Sequence, residues 1–129
     1  MAKIMIIEDN PVHNLLLCHS MEDLEYEPMR FFDIDPAKEI LTQQKPDLII
    51  IDIELHGSLK SSFGFIIDLS NSKDYREIPL IIVSCNVSKE DVKKELPFFN
   101  LDDFIEKPFN VETITSKVKE LLKKKKGAG

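Results

Sequence analysis

Short apolar runs separated by amphipathic stretches organise the chain. Ile4 to Ile7, Leu48 to Ile51 and Leu80 to Val83 are continuous and largely β-branched, the pattern of strands buried on both faces. Lys3 to Ile7 is the first strand. Asn10-Pro11 then supplies an N-cap and a first-turn proline. A helix follows from Val12 to about Glu25, with Val12, Leu15, Leu16 and Leu24 near one face. Tyr26 to Phe32 reads as a strand, and Pro28 makes it an edge strand because proline has no N–H for the ladder. Asp35-Pro36 opens a second helix that runs to about Gln44, before Lys45-Pro46. The third strand is Leu48 to Ile51, ending at Asp52.

Residues 53 to 63 hold Gly57, Ser58, Ser61 and Ser62 and read as a loop. A helix from about Gly64 to Asn71 follows, with Phe65, Ile66 and Leu69 apolar. Ile78 to Val83 is a fourth strand, Ser88 to about Leu96 a short polar helix, and Asp103 to Ile105 a brief fifth strand. Val111 to about Lys124 is amphipathic, with Val111, Ile114, Val118, Leu121 and Leu122 on one stripe. Strict alternation of strand and helix predicts an α/β fold: a five-stranded parallel sheet, doubly wound with five helices. The edge position of Tyr26 to Phe32 fits the order 2-1-3-4-5, in which ligands gather beyond the carboxyl ends of the first and third strands.

Composition narrows the possibilities. The chain has 129 residues, enough for one domain. Its net charge is −6, and four of its 17 basic side chains form the terminal run Lys123 to Lys126, so the body is more acidic still. A broad nucleic-acid surface needs a basic face, and none is in view. No apolar run approaches a membrane span, and nothing resembles a signal peptide, which predicts a cytoplasmic protein. Cys18 and Cys85 form no metal-binding or redox spacing and read as reduced core cysteines. The four glycines, Gly57, Gly64, Gly127 and Gly129, cannot write a dinucleotide or Walker A loop.

The chemistry concentrates at strand ends. Glu8 and Asp9 follow the first strand, and Asp52 follows the third. Three carboxylates in one small space repel one another, and a hard divalent cation relieves that repulsion. Ser84 follows the fourth strand, and Lys107 follows Phe104-Ile105-Glu106 and precedes Pro108. A hydroxyl and an ammonium so placed suit the oxygens of a phosphoryl group, and a carboxylate beside a metal can accept one.

Ile6-Ile7-Glu8-Asp9-Asn10, Asp47-Leu48-Ile49-Ile50-Ile51-Asp52, Ile81-Ile82-Val83-Ser84 and Phe104-Ile105-Glu106-Lys107-Pro108-Phe109 together resemble the receiver domain of two-component response regulators. The resemblance runs from Lys3 to about Leu122. It implies that Asp52 is the phosphoacceptor, served by a phosphohistidine on a sensor histidine kinase or a histidine phosphotransfer protein. It implies a Mg²⁺ (or Mn²⁺) site at Glu8, Asp9 and Asp52 with the main-chain carbonyl of Glu54. Ser84 matches the switch hydroxyl, Lys107 the lysine that pairs with the acyl phosphate, and Phe104 the aromatic switch position. Residues 1–124 then make the receiver, and 125–129 a flexible tail or expression remnant. The chain reads as a stand-alone receiver or as the receiver of a longer regulator, with a downstream protein target or an output domain outside this sequence.

Departures from the family pattern cluster after Asp52. His56 stands where proline is usual, and Gly64 arrives late, which predicts an extended loop. Glu54 lies two positions beyond Asp52, where a fourth carboxylate either looks into the site or faces solvent. His13 and His19 on the first helix read as surface or boundary residues. Three other readings compete. A pseudo-receiver would keep the fold as an interaction module without phosphotransfer. A phosphatase of the haloacid dehalogenase type would place its nucleophile after the first strand, whereas Asp52 follows the third. A flavin carrier of the same fold would set Glu8 and Asp9 against the flavin phosphate.

Overall fold

The computed structural model describes residues 1–99 and 103–128, with side chains described through residue 124. The strands are β1 (Lys3–Ile7), β2 (Glu27–Phe31), β3 (Leu48–Asp52), β4 (Leu80–Ser84) and β5 (Phe104–Glu106). The helices are α1 (Pro11–Asp23), α2 (Ile34–Leu41), α3 (Lys60–Ser70), α4 (Lys89–Glu95) and α5 (Val111–Ala128), with a 3₁₀ turn at Leu55–Gly57. All strand pairs are parallel, in the order β2-β1-β3-β4-β5. Pro28 sits in the edge strand, opposite Ile4, where its missing N–H breaks no inner ladder.

Side-chain alternation divides the core into two layers. Met5, Ile7, Ile49, Ile51 and Ile82 face α2, α3 and α4, meeting Ala37, Leu41, Phe65, Ile66 and Val92. Ile4, Ile6, Leu48, Ile50, Ile81 and Val83 face α1 and α5, meeting Leu17, Met21, Ile114, Val118 and Leu122. Each fully buried isoleucine contributes about 1.5–3 kcal/mol relative to exposure. The central strands are thus fixed against slippage, since a one-residue shift would turn every side chain to the other layer. Among the described residues no helix is long and apolar enough to cross a membrane.

Several boundaries differ from the sequence reading. The loop after Asp52 is shorter than expected: α3 begins at Lys60, not Gly64. The helical bond from the Phe63 amide to the Leu59 carbonyl at 3.0 Å starts it early, and Leu59 and Phe63 pack against the core. Ser61 and Ser62, expected in the loop, lie in the first turns, with Ser62 fully buried. α2 stops at Leu41 rather than Gln44, β4 starts at Leu80 rather than Ile78, and β5 lies one residue later than expected.

The buried face of α1 also differs from the expected one. Val12, Leu15 and Leu16 are exposed, while Asn14, Leu17, Cys18, Ser20 and Met21 are buried. Leu15 to Cys18 is apolar throughout, so periodicity alone could not select a face. The second expected core cysteine is not one: Cys18 is buried, but Cys85 is exposed on the loop after β4.

Candidate functional site

Four strand ends converge on one edge of the sheet. Glu8 directly follows β1 and is only 1% exposed. Its main chain is anchored by Asn14, whose amide nitrogen donates to the carbonyls of Glu8 and Phe31, each at 3.0 Å. Arg30 Nε in turn donates to Asn14 Oδ1 at 2.7 Å. This clamp, with Asn14 buried at its centre, ties the ends of β1 and β2 together. Asn10 caps α1 by accepting from the amides of Val12 at 3.0 Å and His13 at 3.1 Å, and its own amide donates to Glu8 Oε2 at 3.1 Å.

Asp52 is the last residue of β3 and is 5% exposed. Its Oδ1 accepts from the Glu54 amide at 2.9 Å, and its Oδ2 from Lys107 Nζ at 3.0 Å. Lys107 Nζ also lies 2.5 Å from Glu8 Oε1. One ammonium therefore bridges two buried carboxylates from different strands. The Lys107 amide donates to the Ser84 carbonyl at 2.7 Å, which fixes the lysine where β5 ends. One carboxylate oxygen from each of Glu8, Asp9 and Asp52 lies within 4.8 Å of the others. The expected acid trio is assembled.

Charge follows geometry. Burial pushes the Glu8 carboxyl up to about 7, reinforced by the neighbouring Asp52 and opposed by Lys107 and the Asn10 amide. Burial works against the Lys107 ammonium too, but its bonds to Glu8 and Asp52 outweigh that and raise its pKa. His13 borders the site, with Nδ1 3.8 Å from Glu8 Oε1 and its ring edge-on to Phe109 at 5.7 Å. Burial and the charge of Lys107 lower its pKa.

The turn after Asp52 is held by His56. Its amide donates to Asp9 Oδ2 at 2.9 Å, and its ring Nε2 meets Asp33 Oδ1 at 2.5 Å and the Phe32 carbonyl at 3.2 Å. The bond to Asp33 raises the pKa of the imidazole. His56 adopts φ +51° and Gly57 φ +73°, so two consecutive residues are left-handed. The Glu54 carbonyl accepts a long bond, 3.3 Å, from the Gly57 amide.

Glu54 neither faces solvent nor joins the acid trio. Its carboxylate turns to the loop after β4. Oε1 accepts from Ser84 Oγ at 2.7 Å and from the amides of Cys85 at 3.1 Å, Asn86 at 2.7 Å and Val87 at 3.2 Å. Oε2 accepts from Asn86 Nδ2 at 3.0 Å. Partial burial acts against the charge, but these donors win and hold the carboxyl below its usual range. Ser84 is fully buried, and Phe104, 5% exposed, is packed into the core layer beneath.

Sequence reasoning missed three contributors. Asn14 left a trace, as a polar residue within an otherwise apolar turn of helix. Arg30 left none that distinguishes it from a surface cation. The amides of residues 85–87 belong to the backbone and carry no sequence signal.

Comparisons with known proteins agree with this geometry. The pattern of the response regulator receiver domain family matches residues 4–119. The phosphate regulon transcriptional regulatory protein PhoB of Escherichia coli (strain K12) is 28% identical over 122 residues, covering 95% of this chain and 52% of PhoB. The chain thus spans about half the length of the curated relatives it matches. Among solved structures, the signal receiver domain of a signal transduction histidine kinase from Syntrophus aciditrophicus is similar, with a TM-score of 0.82 and 30% identity, covering 95% of this chain and 91% of that one. Chemotaxis response regulator CheY4 of Vibrio cholerae shares the fold, with a TM-score of 0.80 and 23% identity over 94% of this chain and 98% of that one. Sheet order, strand-end constellation and sequence pattern lead to one assignment: the chain belongs to the response regulator receiver domain family.

Proposed function

We propose that this domain is a phosphoryl-accepting signalling switch and that Asp52 is the acceptor. The observation that carries the reading is Lys107 bridging Asp52 and Glu8 inside a trio of strand-end carboxylates. The donor is a phosphohistidine on a sensor histidine kinase or a histidine phosphotransfer protein. An Asp52 carboxylate oxygen attacks phosphorus, a P–O bond forms, and the P–N bond breaks. The imidazole nitrogen leaves with the electron pair and takes a proton from water. Lys107 then offers its ammonium to the new phosphoryl oxygens, and Ser84 offers its hydroxyl.

The all-oxygen donor set of Glu8, Asp9 and Asp52 suits a hard cation. Those residues, with the Glu54 carbonyl, would hold Mg²⁺ or Mn²⁺. The cation would supply positive charge to offset the phosphoryl oxygens as they enter an acidic site. Movement of Ser84 toward the phosphoryl group would repack the neighbourhood of Phe104, altering the surface of α4, β5 and α5. That surface serves a downstream protein target or an output domain, in a cytoplasmic setting. The domain assists only its own phosphorylation and dephosphorylation, and is no metabolic enzyme.

Intact mass after incubation with Mg²⁺ and acetyl phosphate tests the reading. One added phosphoryl group, absent without Mg²⁺ and absent in Asp52→Asn, is expected. No adduct together with no Mg²⁺ binding would leave a pseudo-receiver that works as an interaction module.

A further inference from the structure

The loop after β4 forms an anion cradle, and the chain fills it with its own carboxylate. The amides of Cys85 and Asn86 point at a single oxygen, Glu54 Oε1, the Val87 amide divides between that oxygen at 3.2 Å and Ser84 Oγ at 3.1 Å, and the Ser84 hydroxyl joins them. Successive main-chain N–H groups converging in this way make a concavity that selects anions. Ser84 also contacts the carbonyl of Val87 at 3.1 Å, but a hydroxyl has one proton, and the shorter, charge-assisted bond at 2.7 Å goes to Glu54. The cradle adjoins the acceptor: Asp52 pairs with Val83 across the sheet, one residue before Ser84, and the Glu54 amide bonds to Asp52 itself.

Resting on the reading of Asp52 as phosphoacceptor, we propose that Glu54 is an internal competitor for the phosphoryl group. Its carboxylate occupies donors that an aspartyl phosphate at Asp52 needs, the Ser84 proton above all. Two anions cannot share that proton. Phosphorylation is then an exchange: the phosphoryl oxygens enter the cradle and the Glu54 side chain leaves it. Glu54 is a positioning residue in this scheme. It sets the resting arrangement of Ser84 and residues 85–87, and it raises the threshold for switching.

Beryllofluoride, a non-hydrolysable stand-in for the phosphoryl group, reads this competition at equilibrium and apart from any hydrolysis rate. The full chain, Glu54→Ala and Glu54→Gln would be titrated with beryllofluoride and Mg²⁺, following the amide resonances of Cys85, Asn86 and Val87. Both variants keep the main-chain carbonyl of Glu54. Loss of one charge-assisted competitor should tighten binding by about tenfold in Glu54→Ala. The same three resonances should shift in the free Glu54→Ala protein. Glu54→Gln keeps the side-chain size and should also bind more tightly than the native chain. Equal or weaker binding by both variants, with the native chain binding normally, would overturn the proposal. If neither the native chain nor the variants bound beryllofluoride, the reading of Asp52 would fall and the competition with it. A purely structural Glu54 would lower stability on substitution without tightening beryllofluoride binding.

Discussion

Lys107 Nζ lies 2.5 Å from Glu8 Oε1, closer than its 3.0 Å separation from Asp52 Oδ2. The ammonium is thus a resident cation of the acid cluster. A metal held by Glu8 would compete with Lys107 for that carboxylate, so cation binding would rearrange existing ion pairs.

The raised pKa of Glu8 gives this rearrangement a pH dependence. The folded value of about 7 stands above the ordinary 4.5. Between the two, the folded chain keeps a proton that the unfolded chain has released. The stabilisation is full below the unfolded value and is lost as pH rises through about 7. Metal-free protein should lose on the order of 1–2 kcal/mol between about pH 5.5 and pH 8. Urea denaturation across that range checks it, with Glu8→Gln expected to flatten the slope. Mg²⁺ affinity should run the other way and rise with pH, because only the ionised carboxylate is a good ligand.

Lys107→Ala would leave Glu8 and Asp52 buried without their counter-charge. The expected cost is about 3 kcal/mol in the absence of metal. Millimolar Mg²⁺ should recover much of the difference by taking over the neutralising role. Thermal unfolding of both proteins with and without Mg²⁺ measures this. A gap that Mg²⁺ does not narrow would speak against a cation site in the acid cluster.

The Asn14 clamp should matter to stability despite lying outside the chemistry. Asn14→Ala strands the Glu8 carbonyl and removes one bond from the Phe31 carbonyl, while the exposed Arg30 turns to water. A loss of about 2 kcal/mol is expected in urea denaturation. A loss below about 0.5 kcal/mol would mean that water replaces the amide without penalty.

The two thiols should separate cleanly. Cys85 is exposed, whereas Cys18 is buried, and burial together with Glu22 raises the Cys18 pKa. A thiol reagent should label Cys85 in the folded protein and reach Cys18 only on unfolding. Rapid labelling of both would contradict the packing of α1.

The fold was legible because the buried strands are unmistakable runs and Pro28 marks one edge. The acid trio, Ser84 and Lys107 were legible because each sits within two residues of a strand end, and in this topology those ends meet. What escaped the sequence was orientation. The face of α1 was hidden by four consecutive apolar residues. The start of α3 was hidden by serines that tolerate both helix and loop. The target of Glu54 was hidden because main-chain amides, and not side chains, receive it. Gly64, expected to open the helix, lies inside α3 in open surroundings where an added Cβ would meet nothing within 4 Å.

The order of residues along the chain has its own consequence for assembly. Glu8, Asp9 and Asp52 come early, and Lys107 comes 55 positions after Asp52. As a polypeptide lengthens from its N-terminus, the acids are made well before the base that reconciles them. A sheet built from only its first three strands would gather like charges along its rim, with no ammonium among them. Docking of β5 brings that ammonium, so the final strand does more than complete a ladder. It converts an electrostatic conflict into a network and makes closure of the rim depend on the last quarter of the fold.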